Sequence, residues 1–295
     1  MRRFLRWKMK RVKGLLFAAL SAATFGLIPL YANQAILDGV NNETILVYRY
    51  GIAGLVYALY LLFRRVDMRL STGELKEVIF AGVGCYGITA FFLMLSYHYM
   101  PTGVATAIHY FYPVVVALLM HFVYKERLGW IVNLGIWLAI AGVALLSWTP
   151  GDVNWWGLFF VLVSTLTYGS YIVVLNRPVL KRMNPDVLTC YALLFTALFY
   201  LLLGGVQGKM EFITRPRFLL DMFQLAVLST ILSARLLVSA VKLIGSVPCS
   251  VLGTLEPLTA IVIGVFYFQE HLSMLNYVGL VIVLIAVLIV ILKKK

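Results

Sequence analysis

The sequence predicts an all-α polytopic membrane protein: ten transmembrane helices arranged as two inverted five-helix repeats. Three observations carry this: an apolar composition, uncharged runs of span length, and self-similarity at a fixed offset. Of 295 residues, 62% are hydrophobic and 13% charged, against about 45–50% and 25% in ordinary soluble domains. A folded soluble chain of about 300 residues still exposes roughly a quarter of its unfolded surface, so it cannot hide this much apolar area. A soluble enzyme, a disordered tail and a secreted disulfide domain are therefore excluded. The apolar runs are continuous rather than alternating, which calls for helices and not a membrane barrel.

The elements follow in order. Residues 1–13 hold seven of the 25 Lys and Arg, and Lys293, Lys294 and Lys295 close the chain. Both ends read as cytoplasmic by the positive-inside rule. The apolar run after the basic start, Gly14 to Ala32, is long and lacks a clear small-x-small cleavage site. It reads as a retained first span rather than a signal peptide. Spans of about 20 residues are then expected in Gly14–Leu37 and Thr44–Phe63, two in the 47-residue uncharged stretch Val78–Tyr124, and one in Leu128–Gly151. Val153–Asn176, Val187–Gly208, Phe218–Val241, Val247–Tyr267 and His271–Leu292 complete the ten. With the N-terminus inside, 20 basic residues fall on the inner side and three, Lys209, Arg215 and Arg217, on the outer side. That outer loop between the seventh and eighth spans has no explanation at this level.

Shifting the chain by 143 lays Gly14-Leu15, Phe17, Ser21 and Thr24-Phe25-Gly26 on Gly157-Leu158, Phe160, Ser164 and Thr167-Tyr168-Gly169. A shift of 144 lays Pro113, Phe122, Glu126, Leu128 and Gly135 on Pro257, Phe266, Glu270, Leu272 and Gly279. The halves are 14–148 and 157–292, joined by an external loop at 149–156. Five spans per half is an odd number, so the second half enters the membrane upside down. Inverted repeats of this kind place a solute site near the midplane and rock one half against the other.

Two five-helix halves, Arg49 in the second span, Pro113…Glu126-Arg127-Leu128…Gly135 and Glu256-Pro257…Glu270-His271-Leu272…Gly279 together resemble the EamA-type transporters of the drug/metabolite transporter superfamily. The resemblance covers nearly the whole chain. It implies movement of amino acids and related small metabolites across a membrane, without fixing which one.

Several residues are candidates for carrying the solute. Thr102, Thr106, His109 and Pro113 share one helical face, and the repeat sets Ser246, Ser250, Gly253 and Pro257 at equivalent places. Each proline leaves the carbonyl four residues back without its donor and kinks the helix, which suits a cavity wall and gating. The bland alternative is that Ser and Thr bond to their own helix. Glu256 is the one acid well inside a span, roughly 13 Å from the inner face. A charge at that depth costs about 2.5–3.5 kcal/mol on insertion scales, which a protonated carboxyl largely avoids. It is a candidate proton carrier or amine anchor, or else a static helix partner. Arg235 lies at a similar depth and either pairs with Glu256, contacts solute or snorkels to the surface. Arg49, about 7.5 Å from the outer face, offers a planar fork for a carboxylate or a cap between helices. His109 is a cavity or packing residue. Tyr112 is the repeat counterpart of Glu256, and Tyr86 and Tyr168 are deep aromatic rings with one hydroxyl each, for an amphiphilic solute or for core packing. Tyr97, His98, Tyr99, Trp155 and Trp156 read as an outer interfacial belt.

Other signals are discounted. Gly82-Val83-Gly84-Cys85-Tyr86-Gly87 matches a dinucleotide fingerprint, but no acid lies about 20 residues on. Small residues there fit close helix approach instead. Cys85, Cys190 and Cys249 lack metal-ligand spacing and read as buried thiols. No metal, nucleotide or other cofactor is expected, and no enzymatic activity. The partners expected are a small-molecule solute, the lipid bilayer and protons, not nucleic acid, with the chain a monomer or homodimer. The leading expectation is a secondary-active carrier in a plasma (inner) membrane that moves small metabolites, amino acids or related amphiphilic solutes, by alternating access, with proton-coupled export as one form of it. A drug or nucleotide-sugar transporter, an intramembrane lipid-handling enzyme and a passive channel are the alternatives.

Overall fold

The computed structural model describes residues 2–100, 102–146, 154–266 and 273–292, and every regular element among them is helical. The first half holds α1 (Arg2–Phe25), α2 (Ile28–Leu37), α3 (Asn42–Phe63) and α4 (Thr72–Ile79), then a π-helical stretch Phe80–Gly87 leading into α5 (Ile88–Ser96). It continues with α6 (Thr102–His109), α7 (Tyr112–Tyr124) and α8 (Trp130–Leu146). The second half holds α9 (Trp155–Val174), α10 (Pro178–Arg182), α11 (Pro185–Val206) and α12 (Pro216–Ala226), then a π-helical stretch Val227–Leu232 leading into α13 (Ser233–Ile244). α14 (Ser246–Gly253), α15 (Glu256–Phe266) and α16 (Met274–Leu292) complete it. Among the described residues, five continuous helices are long and apolar enough to cross a membrane: Asn42–Phe63, Thr72–Ser96, Trp155–Val174, Pro185–Val206 and Pro216–Ile244. The remaining apolar helices among the described residues are shorter or interrupted.

Local chemistry sets the boundaries. Asn41, Asn154 and Asn184 each accept a backbone N–H of the helix they precede, and Ser71 and Glu74 form a reciprocal capping box before α4. Pro178, Pro185 and Pro216 open α10, α11 and α12, where a missing N–H costs nothing. The two prolines at repeat positions act inside their helices. Pro113 and Pro257 have no N–H for the carbonyls of His109 and Gly253, and the chain turns at Tyr110–Phe111 and Thr254–Leu255, splitting α6 from α7 and α14 from α15. The expected kinks are therefore full breaks. The Glu270-His271-Leu272 motif and Lys293–Lys295 lie outside the described residues.

The π-helical stretches occupy corresponding places in the two halves and free backbone groups that side chains of other helices satisfy. The carbonyls of Gly82 and Gly87 accept the hydroxyls of Thr196 (2.9 Å) and Tyr200 (2.6 Å) from α11. A Cβ on Gly82 would lie 2.9 Å from the Cα of Ala192. Gly82 thus serves close helix approach. Gly82→Val is expected to overpack this contact and lower stability by about 1–3 kcal/mol, seen as a lower unfolding temperature in detergent.

Most large helix pairings join the two halves: α8 with α16, α3 with α11, α1 with α13, and α5 and α7 with α9. The main core is consequently built across the repeat, with two smaller apolar clusters beside it. The loop after α11, basic against expectation, meets acids of the α2–α3 segment. Lys209 pairs with Glu43 at 3.0 Å and Arg215 with Asp38 at 3.6 Å. Local neutralisation accounts for cations on that side.

Candidate functional site

The site lies where the two broken helices meet. Tyr112 opens α7 and Glu256 opens α15, at equivalent positions of the repeat. The Tyr112 hydroxyl fills the space where Gly253 would carry a side chain, so each break packs on the other. The flanking helices repeat the arrangement. A Cβ on Gly26 would lie 2.5 Å from the Glu256 carbonyl and 2.6 Å from Thr259 Cβ, while one on Gly169 would lie 3.4 Å from the Tyr112 carbonyl and 2.6 Å from Val115. Glycine at these two places lets a helix touch a bared backbone turn.

Around the breaks the side chains form a continuous aromatic path. Tyr110 and Tyr112 have ring centroids 6.1 Å apart, Tyr112 and Tyr168 4.7 Å, and Tyr168 and Tyr171 6.4 Å. The path continues to Tyr86 at 5.1 Å, Tyr50 at 5.7 Å and Tyr200 at 5.5 Å. Glu256 stands at one end, near Tyr97, Tyr110, Tyr112 and Tyr168. Arg49 stands at the other end. It is 8% exposed, donates from Nε to Thr230 at 2.8 Å, and holds its guanidinium 5.1 Å from the Tyr50 ring. Thr230 and the Tyr50 ring are thus the partners of the Arg49 cation. Buried charges persist only with such partners, so fold and site depend on one another here.

His109 completes the wall against Tyr110, Tyr112 and Tyr168, its ring centroid 5.4 Å from that of Tyr168. The Ser164 hydroxyl donates to the Thr89 carbonyl at 3.0 Å, so His109 Nδ1, 3.1 Å from the same oxygen, is the donor to it. In that tautomer Nε2 keeps its lone pair. Pro113 and Pro257 are both buried at the breaks. Of the other polar-face residues, Thr106 meets the Tyr97 hydroxyl at 3.3 Å and Ser246 donates to the Ile172 carbonyl at 2.7 Å. Ser250 bonds back to its own helix at Val247, the bland alternative. The Thr102 side chain lies outside the described residues.

Two expectations need correction. Arg235 does not pair with Glu256. Its Nε donates to Asp186 at 2.8 Å, Tyr57 donates to the same carboxyl oxygen at 2.7 Å, and the guanidinium sits 6.0 Å from the Phe17 ring. Helix spacing gave Arg235 the right depth, but the rotation of α13 turns it toward the start of α11. Tyr97 does not join an interfacial belt, because it turns inward to Thr106 and the field of Glu256. Trp155 and Trp156 are exposed as a belt requires. Tyr50, Tyr110, Tyr171 and Tyr200 were not singled out by sequence. Tyr110, at the turn before Pro113, carried the one usable signal.

The Asp186 cluster ties α3, α11 and α13 together. The pair is about one-third exposed, so it contributes only about 1 kcal/mol after solvent screening. Asp186→Asn is expected to loosen that end, raising labelling of a Cys placed at buried Ser239 several-fold in a thiol-accessibility assay.

The model of the EamA-like transporter family matches residues 12–148 and again residues 155–292. The chain belongs to the EamA-like transporter family. It carries two copies of the family unit, and its long apolar helices are those of a multi-pass membrane protein. A protein of Archaeoglobus fulgidus described as an uncharacterized transporter is 28% identical over 147 residues, 49% of this chain and 51% of that one. The match thus spans about half the length of that curated relative. A protein of known crystal structure superposes with a TM-score of 0.82 at 16% identity, covering 94% of this chain and 96% of the other. That likeness concerns the fold alone.

Proposed function

We propose that this EamA-family chain is a ten-span secondary carrier with both termini cytoplasmic in a plasma membrane, its halves inserted with opposite orientation. In this reading the interrupted pairs α1–α2, α6–α7 and α14–α15 each make one crossing. The solute is a small amphiphilic metabolite, with amino acids the first class to test, moved outward by alternating access and coupled to protons.

One arrangement carries the reading: Glu256, half-buried, and Arg49, buried, stand at the two ends of a tyrosine path that starts at the junction of two broken helices. Glu256 receives the solute amine or a proton, and Arg49 receives its carboxylate in a planar fork. Tyr86, Tyr112, Tyr168 and His109 form the wall that accepts an apolar side chain. Pro113 and Pro257 fix the breaks about which the halves rock. Arg235 acts with Asp186 in holding one end of the bundle rather than in contacting solute. A nucleotide sugar would need several cations for its phosphates, and Arg49 is the one basic side chain found at this interior among the described residues.

The test is counterflow in proteoliposomes. Vesicles preloaded with an unlabelled amino acid should take up the labelled one transiently above equilibrium, with saturation and with dependence on an imposed pH gradient. Flux that neither saturates nor shows counterflow would establish a pore and end the carrier reading.

A further inference from the structure

We infer that the split between α7 and α8 holds an anionic phospholipid of the cytoplasmic leaflet, with one acyl chain inside the bundle wall. The orientation rests on the proposed topology, in which the α7–α8 connection is cytoplasmic. The two helices are sequence neighbours joined by only residues 125–129, yet they diverge. α8 packs on α16, and α7 packs on α9 and α14. Between them lies a cavity of about 560 Å³.

Its walls are graded along the helix axis. Val114, Ala117 and Leu118 of α7 face Ile136 and Trp137 of α8, giving an apolar slot. Val114 is two residues past Tyr112, the first residue of α7, and His121 lies seven residues further on, about 10 Å at 1.5 Å per residue. The slot therefore runs from the middle of the bundle to its end. At that end the lining becomes polar, with His121, Arg127 and Asn133. His121 Nδ1 sits 3.2 Å from the Glu126 carbonyl, which orients Nε2 away from the backbone. Lys125 adds a second cation beside Arg127, and Glu126 is the single acid of the connection.

The slot opens outward. Leu118, Phe122 and Trp137 are half or more exposed, as expected of side chains that meet hydrocarbon. A water-soluble solute has no favourable route through them. A second protein helix would satisfy the apolar walls and leave the cationic rim without an anion. A phospholipid satisfies both ends with one molecule: its acyl chain fills the slot and its phosphate meets Arg127 and His121. Basic pockets between helices at the cytoplasmic leaflet recognise anionic headgroups in this way, and the guanidinium suits phosphate better than an ammonium does.

The experiment is native mass spectrometry of the full chain released from nanodiscs of equal phosphatidylglycerol and phosphatidylcholine. The wild type should retain phosphatidylglycerol over phosphatidylcholine by at least three-fold. Arg127→Gln, at an exposed position that leaves the core untouched, should abolish that preference. Ala117→Phe, which fills the slot, should remove both lipids, and Lys181→Gln should change nothing. Equal retention of the two lipids by wild type, or an undiminished preference in Arg127→Gln, would overturn the inference. So would displacement of the lipid by millimolar inorganic phosphate, or a cross-link between two copies bearing Ala117→Cys. The readout needs no transport, so its failure is distinct from failure of the carrier reading.

Discussion

Glu256→Gln is expected to leave the protein folded, to reduce transport of amine-bearing solutes at least ten-fold, and to abolish the pH dependence expected of the wild type. The amide is close in shape to the carboxyl, so the contact with Tyr110 and the seat of the Glu256 carbonyl beside Gly26 survive. The negative charge is lost. A hydrogen bond to a charged group contributes about 1.5–3 kcal/mol, and each 1.4 kcal/mol is a factor of ten in binding. A solute held through an ammonium group thus loses about one to two decades of affinity. A proton carrier loses its titratable atom altogether, and flux then no longer follows an imposed pH gradient. The check is initial uptake into proteoliposomes at several external pH values, beside the unfolding temperature of each protein. An unaltered temperature with an unaltered pH profile would remove Glu256 from the transport cycle.

The breaks that place Glu256 were legible in the sequence because their causes are local. Proline lacks an N–H whatever surrounds it, and the shift of 144 shows that the deletion of that donor occurs twice, at Pro113 and Pro257. The polar face of α6 was legible for a similar reason, since its spacing depends on helix periodicity alone. The neighbours of these residues were not legible. Arg235 and Glu256 share a depth, yet depth says nothing about the rotation of α13, which is set by its packing on α1 from the opposite half. Tyr97 sits at a helix end, where interface and interior are adjacent, and Thr106 decides between them. The tyrosine path draws on α3, α5's π-helical lead-in, α7, α9 and α11, with Tyr110 at the turn before α7. No linear pattern contains it, because it exists only once the two halves interlock. Repeat symmetry located the centre of the molecule, while the chemistry there depends on what breaks that symmetry, a carboxyl on one side and a phenol on the other.

Arg49 tests that asymmetry from the opposite pole. Arg49→Gln removes a buried cation together with its bond to Thr230, and losing a hydrogen bond to a charged group costs about 1.5–3 kcal/mol. The single variant should therefore unfold at a clearly lower temperature than wild type. In the double variant Arg49→Gln/Glu256→Gln neither charge is left stranded, so the combined loss should fall short of the sum of the singles by about 0.5–3 kcal/mol, the range seen for residues in one network. Arg49→Lys separates charge from shape. It keeps the cation but cannot reproduce the guanidinium geometry that reaches Thr230 through Nε at 2.8 Å and lies against Tyr50. Stability should then recover in large part. Recognition of a solute carboxylate should not, because one ammonium replaces a two-pronged donor. Uptake of amino acids should fall in Arg49→Lys while uptake of the matching amines, which lack the carboxylate, stays near the wild-type level. Equal losses for both solute classes, or strict additivity in the double variant, would mean that Arg49 braces α3 against the π-helical stretch at Thr230 and takes no part in binding the solute.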